Sequence, residues 1–94
     1  MKKYEGMFII KADLAKEGLE KTATQVQDII KKQDGSLDNI KEWGKQKLAY
    51  PIKKHKEGVY YLIDFHIDTT AIAKIRRSFS LNESILRVLI TEQA

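Results

Sequence analysis

The chain has 94 residues, a formal net charge of +4, 43% hydrophobic and 32% charged residues, which suits one globular domain with a single core and is too little for two. It has no cysteine, which excludes disulfides, thiolate metal sites, iron–sulfur clusters and a cysteine nucleophile. No stretch approaches the roughly 20 apolar residues of a membrane span, and the basic start "MKKYEGMFII" lacks the apolar length and cleavage site of a signal peptide, so a soluble, intracellular protein is expected.

"YEGMFIIK" (4–11) is short and rich in strand formers, and reads as a first strand. Asp13 is placed to cap the helix that follows. Leu19, Ala23, Val26 and Ile30 recur at spacings of 4, 3 and 4 with Ile29 beside them, the apolar stripe of a helix over 14–33. Lys31 and Lys32 suit its C-terminal dipole, and Gly35 is the expected stop.

"SLDNIKEWGKQKLAYPI" reads as a second strand whose early apolar spacing of three breaks the strand period, predicting a bulge near Gly44. Pro51 cannot donate a ladder hydrogen bond, which sets this strand at a sheet edge. "KKHKEG" (53–58) is the expected hairpin loop. In "VYYLIDFHI", Val59, Tyr61, Ile63, Phe65 and Ile67 alternate with Tyr60, Leu62, Asp64 and His66, a long strand with two distinct faces. Thr69 or Thr70 is expected to cap a shorter helix carrying Ile72, Ile75 and Phe79. "SILRVLIT" is the last strand. The order βαββαβ, with right-handed crossovers, implies an α+β, ferredoxin-like sandwich: a four-stranded antiparallel sheet with both helices on one face. Residues 1–94 form a single domain. The uncovered face then carries Tyr60 and Leu62, a partly apolar surface for a partner.

Residues 41–56, "KEWGKQKLAYPIKKHK", hold six lysines and one glutamate, a local charge of +5 on a remainder of −1. A basic patch on a near-neutral body points to a polyanionic partner. Edge lysines and a proline also discourage pairing with another chain's strand, but that alone does not require six lysines. With β1 central and the second strand at an edge, Lys2 and Lys3 are expected to join these lysines in one positive rim. His55 and His66 lie eleven residues apart without the spacing of a zinc pair. No Gly-rich phosphate loop and no G-x-S-x-G elbow occurs. No metal or other cofactor is expected.

Among proteins of this topology, an acylphosphatase needs an arginine and a backbone N–H cradle after the first strand. "KADLAKEG" offers no arginine and no closely spaced glycines there, so an enzyme is not expected. An RNA-recognition motif stacks bases on aromatics of its first and third strands. "KEGVYYLIDF" puts valine and a bulky tyrosine at places where that motif needs an aromatic and a small residue.

"EWGKQKLAYPIKK" resembles the signature of the bacterial small-subunit ribosomal protein S6 family. The start "MKKYEGMFII" and the junction "SFSLNESILRVLI" are similar to two further blocks of that family, in order and separation, so the resemblance spans essentially the whole chain. It implies a non-catalytic structural protein of the cytoplasmic ribosome. Such a protein binds the central domain of small-subunit (16S) ribosomal RNA together with ribosomal protein S18 during assembly. Carried over by position, the RNA-facing residues are Lys2, Lys3, Tyr4, Lys45, Lys47, Tyr50 and Arg87, with Lys53 and Lys54 from the lysine run. Trp43, Tyr60 and Leu62 are expected to face the partner protein. Gln46 stands where many relatives carry a second consecutive basic residue, and lysine stands where arginine is common. Lysine offers a point charge instead of a bidentate fork, so phosphate neutralisation is expected more than reading of base edges. The chain ends at Ala94 soon after the last strand, and the long acidic tail of some relatives is not expected. The alternative is a ferredoxin-like regulatory module that dimerises through its sheet and binds an anionic ligand.

Overall fold

Alternation in residues 59–67 fixes the centre of the molecule, because a strand with one apolar face must lay that face on a core. In the computed structural model of the chain, which describes residues 1–13 and 15–93, Val59, Ile63, Phe65 and Ile67 are buried while Tyr60, Leu62, Asp64 and His66 are only partly covered. The elements are β1 (Lys2–Lys11), α1 (Lys16–Lys32), β2 (Ser36–Ile52), β3 (His55–Ile67), a 3-10 turn (Thr69–Ala71) running into α2 (Ile72–Ser80), and β4 (Ile85–Glu92). The sheet order is β2-β3-β1-β4, with all neighbours antiparallel. This is the ferredoxin-like βαββαβ sandwich, with β2 at an edge. The core joins Tyr4 and Phe8 of β1, Val26 and Ile30 of α1, Ile63 and Phe65 of β3, Ile75 and Phe79 of α2, and Ile85 and Ile90 of β4. Phe8 meets Phe79 edge-on at 4.8 Å between ring centroids, an arrangement favoured by the ring quadrupoles.

Several local signals act one or two residues from their expected places. Helix α1 starts after Ala15, which makes no side-chain cap, so Asp13 does not cap it; residue 14 lies outside the described residues. The left-handed residue that ends α1 is Asp34, with φ 61°, not Gly35. Asp34 N–H donates to Lys31 O and Gly35 N–H donates to Ile30 O, each at 3.0 Å, the Schellman pattern. Gly35 is required for space: a Cβ there would stand 2.6 Å from Ile30 Cγ2 and 2.8 Å from Ile30 O. The 3-10 turn is capped by Asp68, whose carboxylate accepts from the Thr70 N–H at 3.1 Å, so neither Thr69 nor Thr70 is the cap. Aspartate outranks threonine at this position.

The largest difference is in the hairpin. The loop expected over 53–58 is a two-residue turn, Lys53–Lys54, and β3 begins at His55. Both lysines have positive φ, 49° and 69°, the backbone signature of a type I′ turn, whose twist matches the flanking strands.

Candidate nucleic-acid interface

Antiparallel register decides which lysines share a neighbourhood. Strand β1 stops pairing at Lys11, opposite Gly58, while β2 and β3 continue to Ile52 opposite His55. The β2–β3 hairpin therefore overhangs the sheet as an arm that carries Lys47, Lys53, Lys54 and Lys56 with Glu57 as its acidic member, and Lys45 stands at its base opposite Val59. Three register shifts interrupt β2, between Leu37 and Asn39, Glu42 and Gly44, and Lys47 and Ile52. Gly44 sits at the second with φ 83°, as the broken spacing around it predicts. Bulges of this kind add twist and turn side chains out of the ladder.

At the base of the arm, Lys45 Nζ lies 3.4 Å from Glu57 Oε2, with both side chains substantially exposed; such a pair is worth little and is available for exchange. Lys47, Lys53, Lys54 and Lys56 are exposed. Tyr50 is 80% exposed and Trp43 59%. A cleft of about 330 Å³ separates the arm from the β1–α1 turn; Lys45, Lys54, His55, Lys56 and Glu57 line one side, Ala12 and Asp13 the other. Lys11 also belongs to this end through its pairing with Gly58. The sequence reading missed it, although a β1 that ends at a lysine and runs antiparallel to β3 must deliver that lysine to the hairpin.

Lys2 and Lys3 lie elsewhere. Lys2 pairs with Ile67 and Lys3 with His66, eight residues along β3 from Gly58, or roughly 26 Å at strand rise. That is about three Debye lengths at physiological salt, so the expected single rim is instead two separate basic sites. Lys2 Nζ is also 3.1 Å from Glu92 Oε1; its hydrogen bond to that carboxylate, then the carboxylate's charge, raises the ammonium pKa above its ordinary value. Lys3 faces the open side opposite His66, whose Nδ1 contacts Asp38 Oδ2.

Tyr4 leaves the candidate surface altogether. It shares strand parity with Phe8 and is 5% exposed in the core. Its ring stacks with Phe65 at 5.9 Å, and its hydroxyl donates to Thr69 Oγ1 at 3.1 Å.

The open sheet face has an apolar band. Leu62, Met7 and Leu89 align across β3, β1 and β4, and the next row reads Tyr60, Ile9 and Arg87. Leu89 is 48% exposed, Leu62 and Tyr60 are half-buried, and Arg87 is exposed. Gly58 lets Ile9 and Leu48 close over the strand: an added Cβ would collide with Ile9 Cγ2 and stand 3.6 Å from Leu48 Cδ2. Glu5 opposite Asp64 forms an acidic row on the far side of the band. Arg87 is three strands from β2, about 14 Å at the usual strand spacing, and so borders the apolar band more closely than the arm. On the other face, burial and then the charge of Glu42 raise the Tyr61 hydroxyl above its ordinary pKa.

The family model described as ribosomal protein S6 matches residues 3–92. The chain belongs to the ribosomal protein S6 family. The small ribosomal subunit protein bS6 of Geotalea daltonii is 40% identical over 93% of this chain and 68% of its own length. That of Fusobacterium nucleatum is 37% identical over 99% of both. The solved 30S ribosomal protein S6 of Thermotoga maritima superposes with a TM-score of 0.92 at 30% identity, covering 98% of this chain and 87% of its own. Membership makes this a bacterial small-subunit ribosomal protein of the cytoplasmic ribosome. Its relatives in the S6 family are structural proteins, not enzymes.

Proposed function

We propose that the chain binds small-subunit ribosomal RNA through the β2–β3 arm, while the apolar band on the open sheet face docks a partner protein. One observation carries the reading. The arm overhangs the sheet with lysines on both strands and at its turn, where they hold two left-handed positions that Asn and Gly would fill at less cost. The role is structural, with no catalytic step. The resemblance in the signature "WGKQKLAYPI" names the 16S central domain as the RNA and S18 as the partner. Tyr60 and Leu62 anchor the partner, with Arg87 at the border of both surfaces. Lys45, Lys47, Lys53 and Lys54 supply phosphate contacts, joined by Lys11 and Lys56. Lys2 and Lys3 form a separate, weaker contact at the opposite end of β1.

Four to six phosphate contacts predict a slope of log K against log salt of about −3 to −5, at roughly 0.7–0.9 per contact. Two ligands on one RNA that touch each other bind with a coupling free energy. The test measures affinity for a 16S central-domain fragment across a salt series, with and without S18. A flat salt series ends the arm reading, and equal affinity with and without S18 ends the cooperative one.

A further inference from the structure

Two large aromatic side chains of β2 are left in water. Trp43 is 59% exposed and Tyr50 is 80% exposed, whereas the ring pairs found among the described residues, Tyr4–Phe65 and Phe8–Phe79, belong to the core. Both exposed rings stand where β2 loses its register. Trp43 falls in the shift between Glu42 and Gly44, and Tyr50 in the longer one between Lys47 and Ile52. Neither has a residue directly opposite it on β3. Beside Trp43 the surface is clear, since a Cβ added to Gly44 would meet nothing within 4 Å. The sequence neighbours of these rings are cations: Lys41, Lys45 and Lys47 around Trp43, Lys53 and Lys54 after Tyr50.

We infer that Trp43 and Tyr50 are stacking platforms for unpaired nucleobases of the RNA held by the arm, an inference that rests on the RNA reading above. The company these rings keep decides between a base and a protein side chain. Aromatic anchors of protein interfaces sit in desolvated centres from which lysine is depleted. Rings interleaved with ammonium groups along an open track are the arrangement that holds single strands, where cations follow the backbone and rings take the bases. Trp43 therefore parts from Tyr60 and Leu62, with which the sequence reading grouped it. Seven residues separate the two rings, at most about 25 Å of extended chain, so each takes its own base. Bases inside a duplex present no free face, so the RNA on this arm has a bulge, loop or junction. Stacking tolerates any base, which agrees with lysines that neutralise phosphate without reading base edges.

Trp43 is the only tryptophan of the chain, so intrinsic fluorescence reports on this ring alone. The probes are a short single-stranded RNA, an abasic strand with the same number of phosphates, and a blunt duplex. Quenching by the base-carrying strand, and little by the other two, is expected. Tyr50→Ala is expected to lower affinity for the base-carrying strand about five-fold or more, with the abasic strand and the salt slope unchanged. Equal quenching by the base-carrying and abasic strands overturns the inference. RNA binding with no change in emission also overturns it and leaves the lysine reading standing, whereas no binding of any strand removes both. A shift in Trp43 emission on adding S18, but none on adding RNA, assigns the ring to the protein interface and overturns it too.

Discussion

Replacing Lys53–Lys54 by Asn-Gly separates what the turn does for the fold from what it does for RNA. Both lysines hold positive φ, and a left-handed conformation costs an ordinary L-residue about 1–2 kcal/mol. Asn tolerates this region and Gly occupies it freely, although Gly returns about 0.5–1 kcal/mol by loosening the unfolded chain. The net expectation for Lys53→Asn with Lys54→Gly is a gain of about 1–3 kcal/mol. A domain of this size shifts its Tm by about 4–8 °C per kcal/mol. The paired control is Lys53→Gln with Lys54→Gln, which removes the same two charges and keeps the strained backbone. Both variants are expected to shed about 1.4–1.8 from the RNA salt slope, the share of two phosphate contacts. Only the Asn-Gly variant is expected to melt higher. Urea or thermal unfolding, together with RNA affinity at several salt concentrations, reads both quantities. If Asn-Gly and Gln-Gln unfold alike, the strain argument is wrong; if the salt slope is untouched in both, the turn does not meet phosphate.

Three further outcomes follow from the core and caps. Gly35→Ala is expected to lose about 1–3 kcal/mol through its collision with Ile30, while Asp34→Gly gains about 0.5–1 kcal/mol at its positive φ; denaturant midpoints of opposite sign check the pair. Tyr4→Phe removes the hydrogen bond to Thr69, costing about 1 kcal/mol and leaving RNA affinity unchanged, since the ring is in the core. The backbone and then the hydroxyl of Thr70 hold the Asp68 carboxyl below its ordinary value of 3.8. A carboxyl depressed in the folded state contributes stability above its unfolded value and loses it as pH falls through the lower folded value. The Tm gap between the chain and Asp68→Ala is therefore expected to be full above about pH 4 and to close in stronger acid, and a gap of constant size down to low pH refutes the assignment.

Patterns that burial enforces over many residues were legible in the sequence: the α1 stripe, the alternation of β3, the broken spacing around Gly44 and the edge position of β2. Features set by one or two residues were not. Lys-Lys is no turn dipeptide, so the short hairpin was hidden and the loop was read as four residues longer than it is. Asp68 and Ala15 replaced the expected caps because caps depend on local geometry that hydrophobic spacing does not record. The site suffered most from register. The expected antiparallel sheet already implied that Lys11, and not Lys3, reaches the arm, but only the register sets Lys11 opposite Gly58 and Lys3 opposite His66. Tyr4 had its signal in plain view, since a residue in phase with Phe8 and Ile10 belongs to the buried face.

The pairing of β1 with β4 brings Tyr4 opposite Glu92, and Gln93 N–H donates to Lys3 O at 2.8 Å. These two strands lie more than seventy residues apart in the chain, so their pairing closes a long loop. β2 and β3 are joined by the two-residue Lys53–Lys54 turn, so their pairing closes a far shorter one. The lysine arm therefore rests on local pairing, whereas the hydrophobic centre is complete only when two strands far apart in the chain meet.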